Sequence, residues 1–203
     1  MTENAQGLTD IGRLVLQFAE VNRVTFHEDG ITPESDTDHT VMTAICACAL
    51  GHKLYKDKLD HGLVSQFAIV HDLVEAYADD TDTFGFTEEQ KAEKNEREHK
   101  AFLRIKEEFK DIYPWLPDTI EVYERLDTKE ARFVKTVDKL MTKITHILND
   151  GAYFKGRGLS KEQMWHDYSL CRPGEVKYAS EFPELIALID EMILEARVRT
   201  YGS

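Results

Sequence analysis

Cysteine is scarce in this 203-residue chain. Cys46, Cys48 and Cys171 are the only three, too few for a disulfide framework, and they point to a reducing, cytoplasmic setting. Cys46 and Cys48 stand two apart on an expected helix and point away from each other, so they make poor joint metal ligands. Positive charge is also short: 25 Lys and Arg against 38 Asp and Glu leave a formal charge of -13. That balance argues against a nucleic-acid partner. A small anionic substrate stays open, because a bound metal and a few cations can dominate a local field. Long apolar runs are missing. The longest, "VMTAICACAL" at residues 41–50, is about half of what a membrane span needs, and the mean hydropathy is -0.44. No membrane partner is expected. The first ten residues, "MTENAQGLTD", lack the basic start and apolar stretch of a signal peptide. No internal repeat, low-complexity tract or linker divides the chain, so a single domain over residues 1–203 is expected. There is no GxxxxGK[ST] phosphate loop and no GxSxG elbow. "KGRGLS" at residues 155–160 reads as a plain turn.

Helical periodicity, in contrast, runs almost from end to end. Leu8, Ile11, Val15, Phe18 and Val21 fall close to helical spacing. "ITPESDTDHTVMTAICACALGHKL" opens on the helix-start residues Pro33, Ser35 and Asp36, then turns apolar. "GLVSQFAIVHDLVEAYA" reads as a third helix, and "TEEQKAEKNEREHKAFLRIKEEFK" as a charged one with a solvated face. "YPWLPDT" breaks the chain. "TKEARFVKTVDKLMTKITHIL" is amphipathic, "GAYFKGRGLS" reads as a loop, and "FPELIALIDEMILEARV" closes the chain. No run shows a convincing strand alternation. The expected fold class is all-α, a single-domain helical bundle with its C-terminal helices, about residues 160–199, packed on the rest.

The ionisable residues inside these apolar helices need a reason. "IVHDLVEAYADD", residues 69–80, sets a histidine beside an aspartate. On a continuous helix, at about 100° per residue, His71, Asp72, Glu75 and Asp79 share roughly a 100° arc, and Glu75 can reach the same point as His71 and Asp72. Asp80 joins them only if the helix ends near Ala78. An imidazole and a neighbouring carboxylate suit a borderline divalent cation. In "FVKTVDKLMTKI", Asp138 shares a face with Val134, Val137 and Met141, a costly place for a carboxylate unless it is paired or metal-bound. His39 sits in the first turn of an otherwise apolar helix, and Asp36 and Asp38 beside it read as helix-capping carboxylates.

The order His39, His71-Asp72, Asp138, each on an expected helix, resembles the HD-domain metal-dependent phosphohydrolases. "HDLVEAYADDT" is similar to the motif of their 5'-deoxynucleotidase branch, and "VDKL" to that branch's last ligand segment. The likeness runs from about residue 22 to 143. It implies that His39, His71, Asp72 and Asp138 bind one divalent transition-metal ion, Mn, Co, Fe, Ni or Zn. It implies an acid-base or supporting role for Glu75 and Asp80. "NRV" is similar to the segment in which an arginine meets the substrate phosphate, which would be Arg23. The implied substrate is a nucleoside or deoxynucleoside 5'-monophosphate, with triphosphates as the alternative, and homodimers occur in the family. Enzymes of this type with two metals place further histidines between the HD pair and the last aspartate. Here that interval holds only His99. A non-catalytic helical module is the remaining alternative.

Overall fold

The computed structural model describes residues 1–82, 85 and 87–202. The fold is all-α, with one small two-stranded sheet among the described residues. In chain order the elements are α1 (Glu3–Glu20), β1 (Asn22–Phe26), β2 (Pro33–Ser35), α2 (Asp36–Leu54), α3 (His61–Val70), α4 (Glu75–Ala78) and α5 (Glu88–Phe109). They continue with α6 (Trp115–Glu124), α7 (Lys129–Leu148), α8 (Ala152–Gly156), α9 (Lys161–Lys177) and α10 (Pro183–Tyr201). No described helix is long and apolar enough to cross a membrane.

Local chemistry sets the helix starts. Ser35 caps α2 in a reciprocal box with Asp38, and Thr87 does the same for α5 with Gln90. Thr128 accepts from the Ala131 amide to start α7, and Pro183 stands in the first turn of α10, where its missing N–H costs nothing.

α7 is the central element. It packs against α10, α2 and α3, and its buried positions Phe133, Val134, Val137, Leu140 and Met141 join Phe67, Leu185 and Ile189 in the larger core. A second core holds Leu14, Phe18, Val70, Ile105, Phe109 and Ile120. It packs α1, α5 and α6 against the segment that follows α3.

Three sequence expectations need correction. First, residues 22–35 form a hairpin. Its strands pair Asn22 with Ser35 and Phe26 with Pro33 across an irregular register. Side chains hold it rather than alternation: Thr25 donates to Glu34 at 2.5 Å, and Asp29 accepts from the Ile31 and Thr32 amides in the turn. Second, the third helix is not continuous. α3 ends at Val70, and 3-residue hydrogen bonds from Leu73 to Val70 and from Glu75 to Asp72 tighten the chain. α4 then stops at Ala78, and Asp79 takes φ 60° and ψ 150°. The arc predicted to include Asp79 does not form, and Asp79 is exposed. Third, "GAYFKGRGLS" contains the short helix α8, and α6 begins within "YPWLPDT" with Pro114 as its cap.

Between α7 and α9 lies a buried polar contact. His146 is buried and its Nδ1 is 2.7 Å from the Tyr168 hydroxyl. Burial, assisted by the Lys143 charge, pushes its pKa down to about 3. The folded state therefore holds the neutral ring, while the unfolded chain binds a proton near pH 6.5. Stability from His146 is complete above that value and declines as pH falls toward 3, by up to about 1.4 kcal/mol per pH unit. Denaturant unfolding from pH 7 to pH 4 should show this loss, and His146→Gln should flatten that part of the profile. An equally steep profile in the variant would assign the acid sensitivity to other groups.

Candidate metal centre

Four side chains from three segments meet at one point. The first turn of α2 supplies His39, the turn after α3 supplies His71 and Asp72, and the buried face of α7 supplies Asp138. One ligand atom from each lies within 4.8 Å of all the others. His39 Nε2 is 3.0 Å from Asp138 Oδ1 and 3.6 Å from Asp72 Oδ2. His71 Nε2 is 3.2 Å from Asp72 Oδ2 and 3.9 Å from Asp138 Oδ1. The four sequence candidates come together.

The far sides of both rings are fixed by the fold. His71 Nδ1 lies 2.9 Å from the Ala68 carbonyl, so it donates there and leaves Nε2 facing the cluster. That Nε2 is buried and has no hydrogen-bond partner among the described residues. His39 Nδ1 faces Glu34 Oε1 at 3.8 Å. A backbone carbonyl or carboxylate behind an imidazole is the usual support of a metal-binding histidine. Both rings, two carboxylates and no thiolate make a mixed nitrogen-oxygen donor set suited to a divalent transition metal.

The charges around the cluster are balanced by specific partners. Burial alone would raise the Asp138 pKa. Lys139, 2.9 Å from Oδ2, together with His39 and Lys135, overcomes it and holds Asp138 well below the ordinary range. Burial likewise opposes ionisation of Asp72, and His71 and His39 outweigh it, so its pKa is also lowered.

Arg23, Glu75 and Asp80 surround this core. Arg23 projects from β1, and its Nη1 lies 3.1 Å from Asp36 Oδ1, 3.5 Å from Asp72 Oδ2 and 3.9 Å from Glu75 Oε2. Asp36 is therefore a buried partner of Arg23, not the capping carboxylate the sequence suggested; the cap is Ser35. Glu75 Oε1 accepts from Lys94 of α5 at 2.8 Å, and Lys94 also binds Glu98 at 2.7 Å. Burial and the neighbouring Asp72 charge push the Glu75 pKa well above the carboxylate range, against the pull of Lys94. Asp80 is half-buried, and its charge is felt at Arg23, Asp36 and Glu75.

Sequence reading missed Glu34, Lys94 and Lys139, and gave Asp36 a capping role instead of its pairing with Arg23. Lys94 carries no local signal, since nothing in a charged helix marks the one lysine that turns inward. Glu34 and Asp36 are marked only by burial, which follows from the hairpin.

The domain model that matches this chain, described as HD domain, spans residues 16–173. The chain belongs to the HD domain family. Solved structures similar to this HD-domain chain include a predicted metal-dependent phosphohydrolase from Magnetospirillum magnetotacticum MS-1. That structure has a TM-score of 0.76 and 22% identity, with 98% of each chain covered. A conserved hypothetical protein from Pyrococcus furiosus is 25% identical with a TM-score of 0.63, over 91% of this chain and 98% of its own. A Pyrococcus horikoshii OT3 protein is 20% identical with a TM-score of 0.60, over 89% and 96%. No curated protein matches the chain.

The segment carrying Asp80 is tied on both sides. Arg97 of α5 donates to Thr81 at 2.6 Å, and the Tyr153 hydroxyl of α8 donates to Asp82 at 3.0 Å, where Arg157 also binds. Tyr153→Phe keeps the ring and removes a hydrogen bond to a charged group, which typically contributes about 1.5–3 kcal/mol. Amide exchange over residues 79–82 should then rise roughly tenfold or more while α3 keeps its protection. Unchanged exchange there would mean that Tyr153 does not hold this segment.

Proposed function

We propose that this HD-domain protein is a metal-dependent phosphohydrolase that releases inorganic phosphate from a nucleoside or deoxynucleoside 5'-monophosphate, as in the 5'-deoxynucleotidase branch. The observation that carries this reading is the convergence of His39, His71, Asp72 and Asp138 on one point, with His71 Nε2 turned to it. These four residues would hold one divalent ion, Mn, Co, Fe, Ni or Zn. When bound, the ion supplies Lewis acidity toward phosphorus and lowers the pKa of a coordinated water. The similarity to a structure described as a predicted metal-dependent phosphohydrolase supports the same reading.

The remaining residues divide the work around the substrate. Arg23 Nη1 holds Asp36, while its Nε is buried without a hydrogen-bond partner among the described residues. That donor edge matches a phosphate dianion. Glu75 Oε2 is buried without a hydrogen-bond partner among the described residues, 3.9 Å from Arg23 Nη1. With a raised pKa it holds a proton near neutral pH and can give it to the departing ribose oxygen. Asp80 shapes the field that keeps this proton in place. In the overall step, water adds its oxygen to phosphorus, the P–O5' bond breaks, and the nucleoside leaves with one proton.

Elemental analysis of the purified protein should find about one transition-metal ion per chain. Asp72→Ala and His71→Ala should each remove it. Full occupancy and activity in both variants would place the metal elsewhere. Incubation with a panel of nucleotides and divalent metals, with phosphate and pyrophosphate measured separately, should give phosphate from monophosphates; pyrophosphate or tripolyphosphate release would favour the triphosphate alternative.

Glu75→Gln should keep the metal and lose roughly 10²- to 10⁴-fold in kcat, the usual contribution of a general acid-base group. Arg23→Ala should instead raise KM, and should lower kcat as well where the contact tightens in the transition state. Loss of metal from Glu75→Gln would make Glu75 a ligand and overturn the assignment of roles.

A further inference from the structure

The element that carries Glu75 does little to fix its carboxyl. α4 is four residues long, has no side-chain cap at its start, and ends on Asp79 at φ 60°. A glutamate side chain adds its own rotatable bonds to that short support. The fixing contact comes from another helix. Lys94 of α5 donates to Glu75 Oε1 at 2.8 Å and lies 2.7 Å from Glu98 Oε1, four residues further along the same helix. α5 runs from Glu88 to Phe109, opens on the Thr87–Gln90 capping box, and buries Ala101, Ile105 and Phe109 in the second core. The ammonium is therefore mounted on a long, packed helix and pinned from two sides. Burial works against its charge, but Glu75 and Glu98 outweigh it and raise its pKa above the ordinary lysine range.

The two oxygens of Glu75 meet different neighbours. Oε1 meets Lys94. Oε2 is 3.9 Å from Arg23 Nη1, which is itself 3.5 Å from Oδ2 of the cluster residue Asp72. Oε2 is thus the oxygen on the metal side. A separation of 3.9 Å is too long for a hydrogen bond, and Arg23 Nη1 is already given to Asp36. An ammonium has three donors and no acceptor. Oε1 can accept from Lys94 but cannot donate to it, so a proton that Glu75 takes or gives is handled at Oε2.

We propose that Lys94 is the positioning residue of the Glu75 acid-base group: its ammonium, held from behind by Glu98, occupies Oε1 and keeps Oε2 directed at the metal cluster. The inference rests on the phosphohydrolase reading above and adds a residue from α5, which supplies none of the metal-site residues. Among the described residues Lys94 forms no ion pair with His39, His71, Asp72 or Asp138, so its effect on turnover passes through Glu75. Orientation of this kind matters because a carboxyl free to turn would spend part of its time with the working oxygen aimed at α5. Two consequences follow from the chemistry. The loss on removing Lys94 falls in kcat and spares KM, since Lys94 holds the acid rather than the substrate. It also falls on esters whose leaving oxygen needs a proton. The O5' alkoxide of a nucleoside needs one, and 4-nitrophenolate does not.

The test pairs kinetics with a readout that needs no substrate. Hydrolysis of AMP and of 4-nitrophenyl phosphate is measured on the native protein, Lys94→Met, Lys94→Arg, Glu75→Gln and the double variant Lys94→Met/Glu75→Gln. Lys94→Met should lose about tenfold or more in kcat on AMP, hold KM within about twofold, and turn over 4-nitrophenyl phosphate as the native protein does. Lys94→Arg should recover most of the loss, because a guanidinium can also donate to both carboxylates. The double variant should be no slower than Glu75→Gln, since residues that act as a unit are not additive. Separately, the side-chain ammonium of Lys94 is followed by nitrogen NMR in protein labelled on lysine and assigned by its disappearance in Lys94→Arg. Its signal should move in Glu75→Gln. A signal that moves beside no hydrolysis of AMP supports the clamp and sinks the monophosphatase reading alone. A signal that stays in place in Glu75→Gln overturns the proposal whatever the kinetics. Full kcat on AMP in Lys94→Met overturns it too, as does an equal loss on both esters or a loss that adds to that of Glu75→Gln, which would give Lys94 a role in the fold instead.

Discussion

Two carboxylates that must stay ionised side by side, Asp138 buried and Asp72 half-buried, constrain this molecule more than any other contact. Asp72 and Asp138 direct their oxygens to one point, and unit charges 4 Å apart at an effective dielectric of 20 repel by about 4 kcal/mol. Burial adds to that cost. The fold meets it with fixed positive or polar partners from separate elements: His39 from α2, His71 after α3, Lys139 on α7 and Arg23 on β1. A divalent ion in their midst would complete the compensation. This explains why α7 is the central helix. Asp138 must be held rigidly among Val134, Val137 and Met141, so the helix that carries it is also the one most deeply packed.

The all-α class was legible from helical periodicity, and the four converging residues from their order along the chain, with local evidence marking three of them. Asp138 interrupts an apolar stripe, and a charge there has few explanations. His71 and Asp72 stand out as adjacent polar residues in an apolar run. What periodicity hid was the end of α3. The pattern of Val70, Val74 and Ala78 continues through the break, since all three remain buried while the backbone tightens into 3-residue hydrogen bonds. On an uninterrupted helix, neighbouring residues diverge by about 100°. The tightened turn sets His71 Nε2 3.2 Å from Asp72 Oδ2 instead.

The hairpin was illegible for a different reason. Strands of five and three residues are too short to show alternation, and their stability comes from contacts remote in sequence. Asn149 donates to the Phe26 carbonyl at 2.8 Å, and Gly30, at φ 68°, comes so near Ala152 that an added Cβ would stand 3.3 Å from it. The segment from Asn149 to Arg157 therefore steadies two different parts of the site: the hairpin that carries Arg23, and the loop that carries Asp80. A reading of "GAYFKGRGLS" as an idle loop misses this, because the information lies in which residues it touches.

The acidic composition and the anionic substrate are compatible through local geometry. The net charge of -13 describes the average surface, whereas the site collects Arg23, Lys94, Lys135 and Lys139 around a few carboxylates. In the proposed reading, Arg23 would serve both structure and binding. Its Nη1 is committed to Asp36, which locks β1 against the start of α2. A lysine could replace that single contact, but its point charge could not also present a second, planar donor edge toward the metal cluster. The guanidinium can do both at once, and its Nε stays buried without a hydrogen-bond partner among the described residues. Pre-organisation of this kind would let a phosphate bind without reordering the chain, the role that the proposed reading gives the small sheet in an otherwise helical fold.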